Sequence, residues 1–263
     1  MKITGETKVF FMIADPIEHV RTPEVLNPRF EAAGIDAVMV PLHIRPANFP
    51  AAWAAIKQMP NVGGVVVSVP MKDQALQMSD IVEPSAAKIG VANVIRRNAD
   101  ATMVAANFDG QGFMRGMMNG GCDAEGRHAL LLGAGGAGRA ISISLADRGV
   151  TSLRIFDVDA RKAQDLVTDL KQRYSNLSIE CGNNAVGAAN LVINATPLGL
   201  HPETDALPLN VSQLRPHVIV ADIVMKPRQT PLLAAAQKVG CDVRYGAGML
   251  DAQLDLMMKH FGF

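Results

Sequence analysis

The sequence predicts an α/β fold in two lobes, and three observations predict it. Strand-like and helix-like segments alternate along nearly the whole chain, the pattern that yields parallel sheets with helices on both faces. A glycine-rich run, Gly133-Ala134-Gly135-Gly136-Ala137-Gly138, sits between a short apolar stretch and a helical one. The rhythm changes near Asn107, and a polar, glycine-containing stretch from Asn119 to Gly126 follows. Two lobes with a cleft between them are therefore expected, and clefts between domains are where small-molecule sites usually form.

Each element of the first lobe has its own signal. Lys8 to Ala14 is an apolar strand, and Pro23 to Ala33 reads as a helix stopped by Gly34. Ala37 to Leu42 is a second strand and Ala47 to Met59 a second helix, carrying Trp53 on a face expected to be buried. Gly64 to Val69 is rich in β-branched residues and ends at Pro70, as a buried strand should. A short helix from Met71, another over Pro84 to Ile89, and short strands over Asn93 to Arg97 and Thr102 to Ala106 complete this lobe. Asn107 to Met117 reads as a helix.

The second lobe starts at His128. His128 to Leu132 is a buried strand, Arg139 to Arg148 a helix closed by Gly149, and Leu153 to Phe156 a second strand ending at Asp157. Asp159 can cap a helix over Ala160 to Tyr174, because its carboxylate can accept from orphan N–H groups of the first turn. Leu191 to Ala195 and His217 to Val224 are core strands, Leu232 to Val239 is a helix stopped by Gly240, and Met249 to His260 is a final helix.

A glycine-rich loop between strand and helix has a physical task. The glycines permit a tight turn, let backbone approach a pyrophosphate, and let the helix pack closely on the sheet. The helix then points its N–H groups and positive dipole end at the phosphates. Asp157 follows roughly 20 residues on, where a carboxylate accepts from ribose hydroxyls and repels a 2′-phosphate. The candidate cofactor residues are thus Gly133, Gly135, Gly136, Ala137, Gly138 and Asp157, and the expected cofactor is NAD in preference to NADP.

Composition excludes other classes. The 263 residues carry 25 basic and 25 acidic side chains, and nothing in that balance points to nucleic acid or an anionic membrane. Aromatic residues are 5% of the chain, too few to build base-stacking platforms. No apolar run reaches the roughly 18 residues of a membrane span, and Met1 to Glu6 lacks the signature of a secretory signal. Cys122, Cys181 and Cys241 are scattered and odd in number, and read as reduced thiols of a cytoplasmic protein. The six histidines show no metal-binding spacing, so no metal site is expected. The expected partner is a small molecule, with the chain a monomer or homodimer.

Two residues of the first lobe are candidates for chemistry. Lys72 follows a buried strand at its C-terminal end, where open α/β sheets bind ligands. Asp109 follows another strand in Asn107-Phe108-Asp109-Gly110. On these segments alone Lys72 reads better as a solvated lysine at a helix start, and Asp109 reads equally as a helix cap.

Taken in order, the segments match a family. They are Asp15-Pro16-Ile17-Glu18-His19 with Thr22-Pro23, Val67-Ser68-Val69-Pro70-Met71-Lys72, Ile89-Gly90-Val91-Ala92-Asn93 and Asn107-Phe108-Asp109-Gly110. After the glycine loop come Asn194-Ala195-Thr196-Pro197-Leu198-Gly199, Pro227-Arg228-Gln229-Thr230-Pro231-Leu232-Leu233 and Gly246-Ala247-Gly248-Met249-Leu250-Asp251-Ala252-Gln253. With these segments the chain resembles the shikimate dehydrogenase family along nearly its whole length. The resemblance implies a substrate-binding domain of residues 1–106 with 247–263 and a Rossmann NAD-binding domain of residues 107–246. It implies a role in shikimate and quinate metabolism and aromatic amino acid biosynthesis, by reversible hydride transfer between nicotinamide C4 and a ring carbon bearing a hydroxyl. Lys72 and Asp109 would be the catalytic pair, and Thr22, Ser68, Asn93 and Gln253 would bind substrate. Thr196 and Gly246 would join the cofactor set. Two other readings stand beside this one. A folate-type methylene dehydrogenase shares the two-lobe plan and a lysine, although Asn107, Asp109 and Gly248-Met249-Leu250 argue against it. An NAD-binding sensor without turnover would not need Lys72, Asp109, Asn93 and Gln253 together.

Departures from the family pattern touch the substrate. Two family serines that hold a carboxylate correspond to Val20 and Thr22, a family Asn to Val66, a Thr to Ser68, and a Tyr to Met225. Losing such polar contacts can redirect specificity. Arg21 is a candidate to pair with a carboxylate, or a solvated loop arginine. Asp251, where the family has an apolar residue, is a candidate to face the pocket. The family's common Asn-Arg-Thr, whose arginine meets a 2′-phosphate, is here Asp157-Val158-Asp159, which again favours NAD.

Overall fold

The computed structural model describes residues 2–263. The chain divides into two compact units, Met1–Phe108 with Gln253–Phe263, and Asp109–Ala252. Both are α/β, as the sequence predicts.

Unit 1 is built on a six-stranded sheet of β1 (Lys8–Ala14), β2 (Ala37–His43), β3 (Val62–Val67), β4 (Ile81–Val82), β5 (Val94–Arg97) and β6 (Met103–Ala106) in the order β2-β1-β3-β5-β6-β4. Its helices are α1 (Thr22–Ala32), α2 (Phe49–Lys57), α3 (Lys72–Gln77) and α4 (Pro84–Ile89). One face of the sheet packs Ile13, Val65 and Val67 on Phe49, Trp53 and Met71. Trp53 is buried and its indole N–H donates to Met78 O at 3.1 Å. Gly64 lies in β3 because a Cβ there would meet the Phe261 ring at 2.7 Å. Phe261 in turn packs 4.6 Å from Phe10, ring to ring.

The sheet is mixed, whereas alternation along the chain predicts a parallel one. β5 runs antiparallel to both β3 and β6. The reason is local: residues 98–102 join β5 to β6 as a tight turn, with Ala101 at φ +68° and Asn98 Nδ2 donating to Thr102 Oγ1 at 2.9 Å. A parallel connection needs a crossover of about a dozen residues or more.

Unit 2 is built on β7 (His128–Leu132), β8 (Ser152–Phe156), β9 (Ser178–Cys181), β10 (Leu191–Asn194), β11 (Ile219–Asp222) and β12 (Asp242–Arg244). Their order is β12-β11-β10-β7-β8-β9, and every pairing is parallel. The helices are α5 (Asp109–Asn119), α6 (Gly136–Arg148), α7 (Ala160–Arg173) and α8 (Pro231–Val239). Leu130, Leu132, Val192 and Val220 pack from the sheet against Leu232, Leu233 and Ala236. Asp159 caps α7, as expected, by accepting from the Arg161 N–H at 3.1 Å. The last helix, α9 (Gly246–Phe261), contains the division at Gln253. No helix among the described residues is long and apolar enough to cross a membrane.

Candidate active site

In unit 2 the glycine loop links β7 to α6, and each glycine answers a different demand. Gly133 has φ +101°, a conformation L side chains rarely adopt, and a Cβ there would sit 2.8 Å from Ala195 O. Gly138 packs so closely on the turn that a Cβ would lie 2.0 Å from Gly133 O. Gly135 is exposed, with an extended backbone at φ −72°, ψ −173° and nothing within 4 Å of a Cβ. The fold therefore does not itself require glycine at 135. Gly135 is also the N-cap of α6, where no side chain caps the helix and no acid occupies the first turn. Helices α7 and α8 are capped by Asp159 and Thr230. The orphan N–H groups at the start of α6, in the turn that carries Gly136 and Ala137, suit an anion.

Asp157 stands at the exit of β8 and braces this loop. Its Oδ2 accepts from the Ala134 N–H at 2.7 Å and its Oδ1 from the Asp159 N–H at 2.9 Å. A carboxylate oxygen has two lone-pair directions, so each retains capacity for a ribose hydroxyl. These features fit a dinucleotide.

At the exits of β10 and β11 the candidate Thr196 is joined with Asn194 to a buried carboxylate, Asp222, that sequence reasoning passed over. Thr196 donates from Oγ1 to Asn194 Oδ1 at 2.6 Å, and Asn194 Nδ2 donates to Asp222 Oδ1 at 3.1 Å. Asp222 is buried, and desolvation pushes its carboxyl up from the usual range while its hydrogen bonds pull it back. The one available signal was a carboxylate inside the apolar run His217 to Val224. Beyond it a cavity of about 400 Å³ lies by the ends of β11 and β12, lined in part by Ile223, Arg228, Arg244, Tyr245 and Gly246. Gly246 packs against Ile223 O and Val224 O, where a Cβ would come within 2.6 Å of both. Asp251, exposed, also lines this cavity.

Unit 1 gathers most of the other candidates by its backbone. Lys72 opens α3, is 8% exposed, and its carbonyl accepts from the Ala92 N–H at 3.1 Å. It is therefore not the solvated lysine that its segment alone allows. Asn93 is buried beside Ala92, and its Oδ1 accepts from the Phe108 N–H at 2.9 Å. Ser68 follows β3, half-buried, its N–H donating to Ile13 O at 2.8 Å. Thr22 and Gln253 are buried, on α1 and α9. Val66 is buried and Val20 half-buried, so neither offers a polar side chain. Arg21 is engaged by Glu24 at 3.2 Å. His19 keeps a buried Nδ1 with no hydrogen-bond partner, and burial lowers its pKa, so it is not a fully satisfied structural histidine.

Asp109 begins unit 2 and is buried. It is the first residue of α5. Its neighbour Gly110 fits α5 closely on α6, since a Cβ would lie 2.4 Å from Ala140 O.

A glycine loop opening an uncapped helix on a parallel sheet, with a carboxylate at the next strand's exit, defines a dinucleotide-binding domain of Rossmann type. The comparisons sharpen that class. The family model described as the shikimate dehydrogenase substrate binding domain matches residues 12–95. The shikimate dehydrogenase (NADP(+)) of Desulforamulus reducens is 34% identical over 257 residues, 95% of this chain and 88% of that protein. Among solved structures, 5-ketofructose reductase of Gluconobacter sp. strain CHM43 superposes with TM-score 0.84 at 26% identity, covering 97% of this chain and 93% of that one. Quinate dehydrogenase from Corynebacterium glutamicum in complex with NAD gives TM-score 0.86 at 27% identity, with 97% and 94% covered. The chain belongs to the shikimate dehydrogenase family, as its sequence segments indicated, and is a CH–OH dehydrogenase by that membership.

Proposed function

We propose that this protein is an NAD-preferring dehydrogenase acting reversibly on a ring hydroxyl of shikimate, quinate or a related cyclic polyol acid. The observation that carries the NAD preference is Asp157. Its carboxylate is fixed by two backbone N–H groups at the exit of β8, and a fixed negative charge there disfavours a 2′-phosphate. The C. glutamicum relative with NAD supports this reading, while the D. reducens relative carries NADP(+) in its name. The bound nicotinamide supplies the hydride acceptor at C4. The Gly133–Gly138 turn would hold its pyrophosphate, with Thr196 and Gly246 toward the nicotinamide end. Lys72 carries the proton that leaves the substrate hydroxyl on oxidation and returns on reduction. Asp109 hydrogen-bonds the same hydroxyl. Thr22, Ser68, Asn93 and Gln253 orient the substrate.

A second substrate reading, a neutral polyol or its ketone, is favoured by the apolar Val20 and Val66 and by the likeness to a 5-ketofructose reductase. Initial rates of NAD and NADP reduction over shikimate, quinate and neutral cyclic and open-chain polyols test both. The first reading expects higher kcat/KM with NAD and with an acid. Preference for NADP overturns the cofactor assignment, and turnover of neutral polyols alone selects the second substrate reading.

A further inference from the structure

We infer that Asp222 is a positioning residue for dinucleotide binding, acting through Asn194 on the Thr196 loop and through its own loop on Gly246. The inference rests on the dinucleotide reading above. Asn194 and Asp222 are register partners at the exits of β10 and β11, 0% and 2% exposed. A carboxylate buried so deeply is costly unless its lone pairs are met. Asp222 Oδ1 accepts from the Val224 N–H at 3.0 Å and from Asn194 Nδ2 at 3.1 Å, and Oδ2 accepts from Thr230 Oγ1 at 2.7 Å. The proposed chemistry uses none of these bonds.

What they do is orient an amide. Asn194 Nδ2, held by Asp222 and by Leu198 O at 3.0 Å, leaves Oδ1 to accept from the Thr196 N–H at 3.1 Å and Oγ1 at 2.6 Å. The reversed amide would turn its oxygen onto the Asp222 carboxylate and its NH2 onto the Thr196 N–H. Asp222 thus selects the amide orientation that forms the Thr196 turn, in which Oγ1 also accepts from the Leu198 N–H at 3.2 Å. On the other side, the Val224 N–H bond fixes the strand exit whose Ile223 and Val224 carbonyls touch Gly246. One buried carboxylate therefore braces both turns assigned to the nicotinamide end of the cofactor.

The test is titration of NADH and NADPH, by ligand fluorescence, into the wild-type protein and the variants Asp222→Leu, Asp222→Asn, Asn194→Ala and Val192→Ala. Orphaning a buried donor costs enough to weaken a dependent equilibrium roughly tenfold. Asp222→Leu and Asn194→Ala are expected to raise the Kd of the preferred cofactor by about that factor or more. Asp222→Asn keeps Oδ1 as an acceptor for Val224 and Asn194 and should remain near wild type. Val192→Ala, a core truncation in β10 outside the network, should lower Tm with Kd unchanged. Wild-type Kd in folded Asp222→Leu or Asn194→Ala overturns the inference, as does an equal Kd change in Val192→Ala. Where Asp222→Leu does not fold, Asn194→Ala decides by the same criterion. A wild-type protein that binds neither dinucleotide removes the functional reading and this inference together.

Discussion

Replacing Gly135 with alanine separates what a ligand demands of the glycine loop from what the fold demands. At φ −72°, ψ −173° alanine is unstrained, and its Cβ would meet nothing within 4 Å. Alanine restricts the unfolded chain and gains about 0.4–1 kcal/mol at a compatible site. It is a poorer N-cap than glycine by roughly 0.5–1 kcal/mol, so the two effects nearly cancel. Stability is expected to change by less than about 1 kcal/mol, a Tm shift of no more than about 4 °C. Gly138→Ala is the opposite case. Its Cβ would stand 2.0 Å from Gly133 O, and that carbonyl cannot retreat easily, since the Gly133 N–H is bonded to Phe156 O at 2.7 Å. Overpacking of this kind costs about 1–3 kcal/mol or more. Thermal unfolding and NADH titration on both variants form the assay. Gly135→Ala should retain Tm and raise the NADH Kd by roughly tenfold or more, because on the proposed reading the methyl would crowd the pyrophosphate. Wild-type NADH affinity in Gly135→Ala, or a Tm loss equal to that of Gly138→Ala, would refute the reasoning.

Asp157→Asn removes charge while keeping an acceptor for the Ala134 N–H, so the NAD-over-NADP ratio of kcat/KM should fall at least about tenfold; an unchanged ratio contradicts the charge argument. Val20→Ser with Val66→Asn is expected to raise kcat/KM for shikimate or quinate relative to neutral polyols by several-fold or more, and no change would separate these positions from the substrate. The Lys57 ammonium, then the Met103 N–H, lowers the Asp80 carboxyl below its ordinary value, with the ion pair at 2.6 Å and about a third exposed. A carboxylate lowered on folding stabilises the protein above its unfolded pKa, and that stabilisation fades as pH falls through the folded one. Asp80→Asn should therefore cost about 1 kcal/mol at neutral pH, after allowance for solvent screening, and the deficit should vanish in acid; urea midpoints that differ equally at both pH values would contradict this.

Much of the architecture was legible because its signals were strong and local. The strands β1 and β7, and the cap of α7 at Asp159, matched their sequence patterns because apolar runs and an acidic cap act within a few residues. Strands β4, β9 and β12 left little trace: two to four residues long, partly exposed, they are strands chiefly because a neighbour supplies their hydrogen bonds. The antiparallel β5 was hidden for a related reason, since direction depends on the turn at 98–102 and not on composition. In the site, Asp157 was legible as an acid at a strand exit, but not its bond to Ala134. Asp222 was missed because an aspartate at the end of an apolar strand looks like a strand terminator until its partners, distant in sequence, are seen. The Lys72 segment alone favoured a solvated side chain, and tertiary burial removed that reading.

In the proposed reaction Lys72 moves the proton in a dinucleotide-dependent oxidation of a ring hydroxyl. Lys72→Ala, assayed for NADH formation with the best substrate and for NADH binding, tests it most directly. kcat is expected to fall by about 10²–10⁴ while the NADH Kd stays near wild type. Turnover close to wild type in that variant would contradict it.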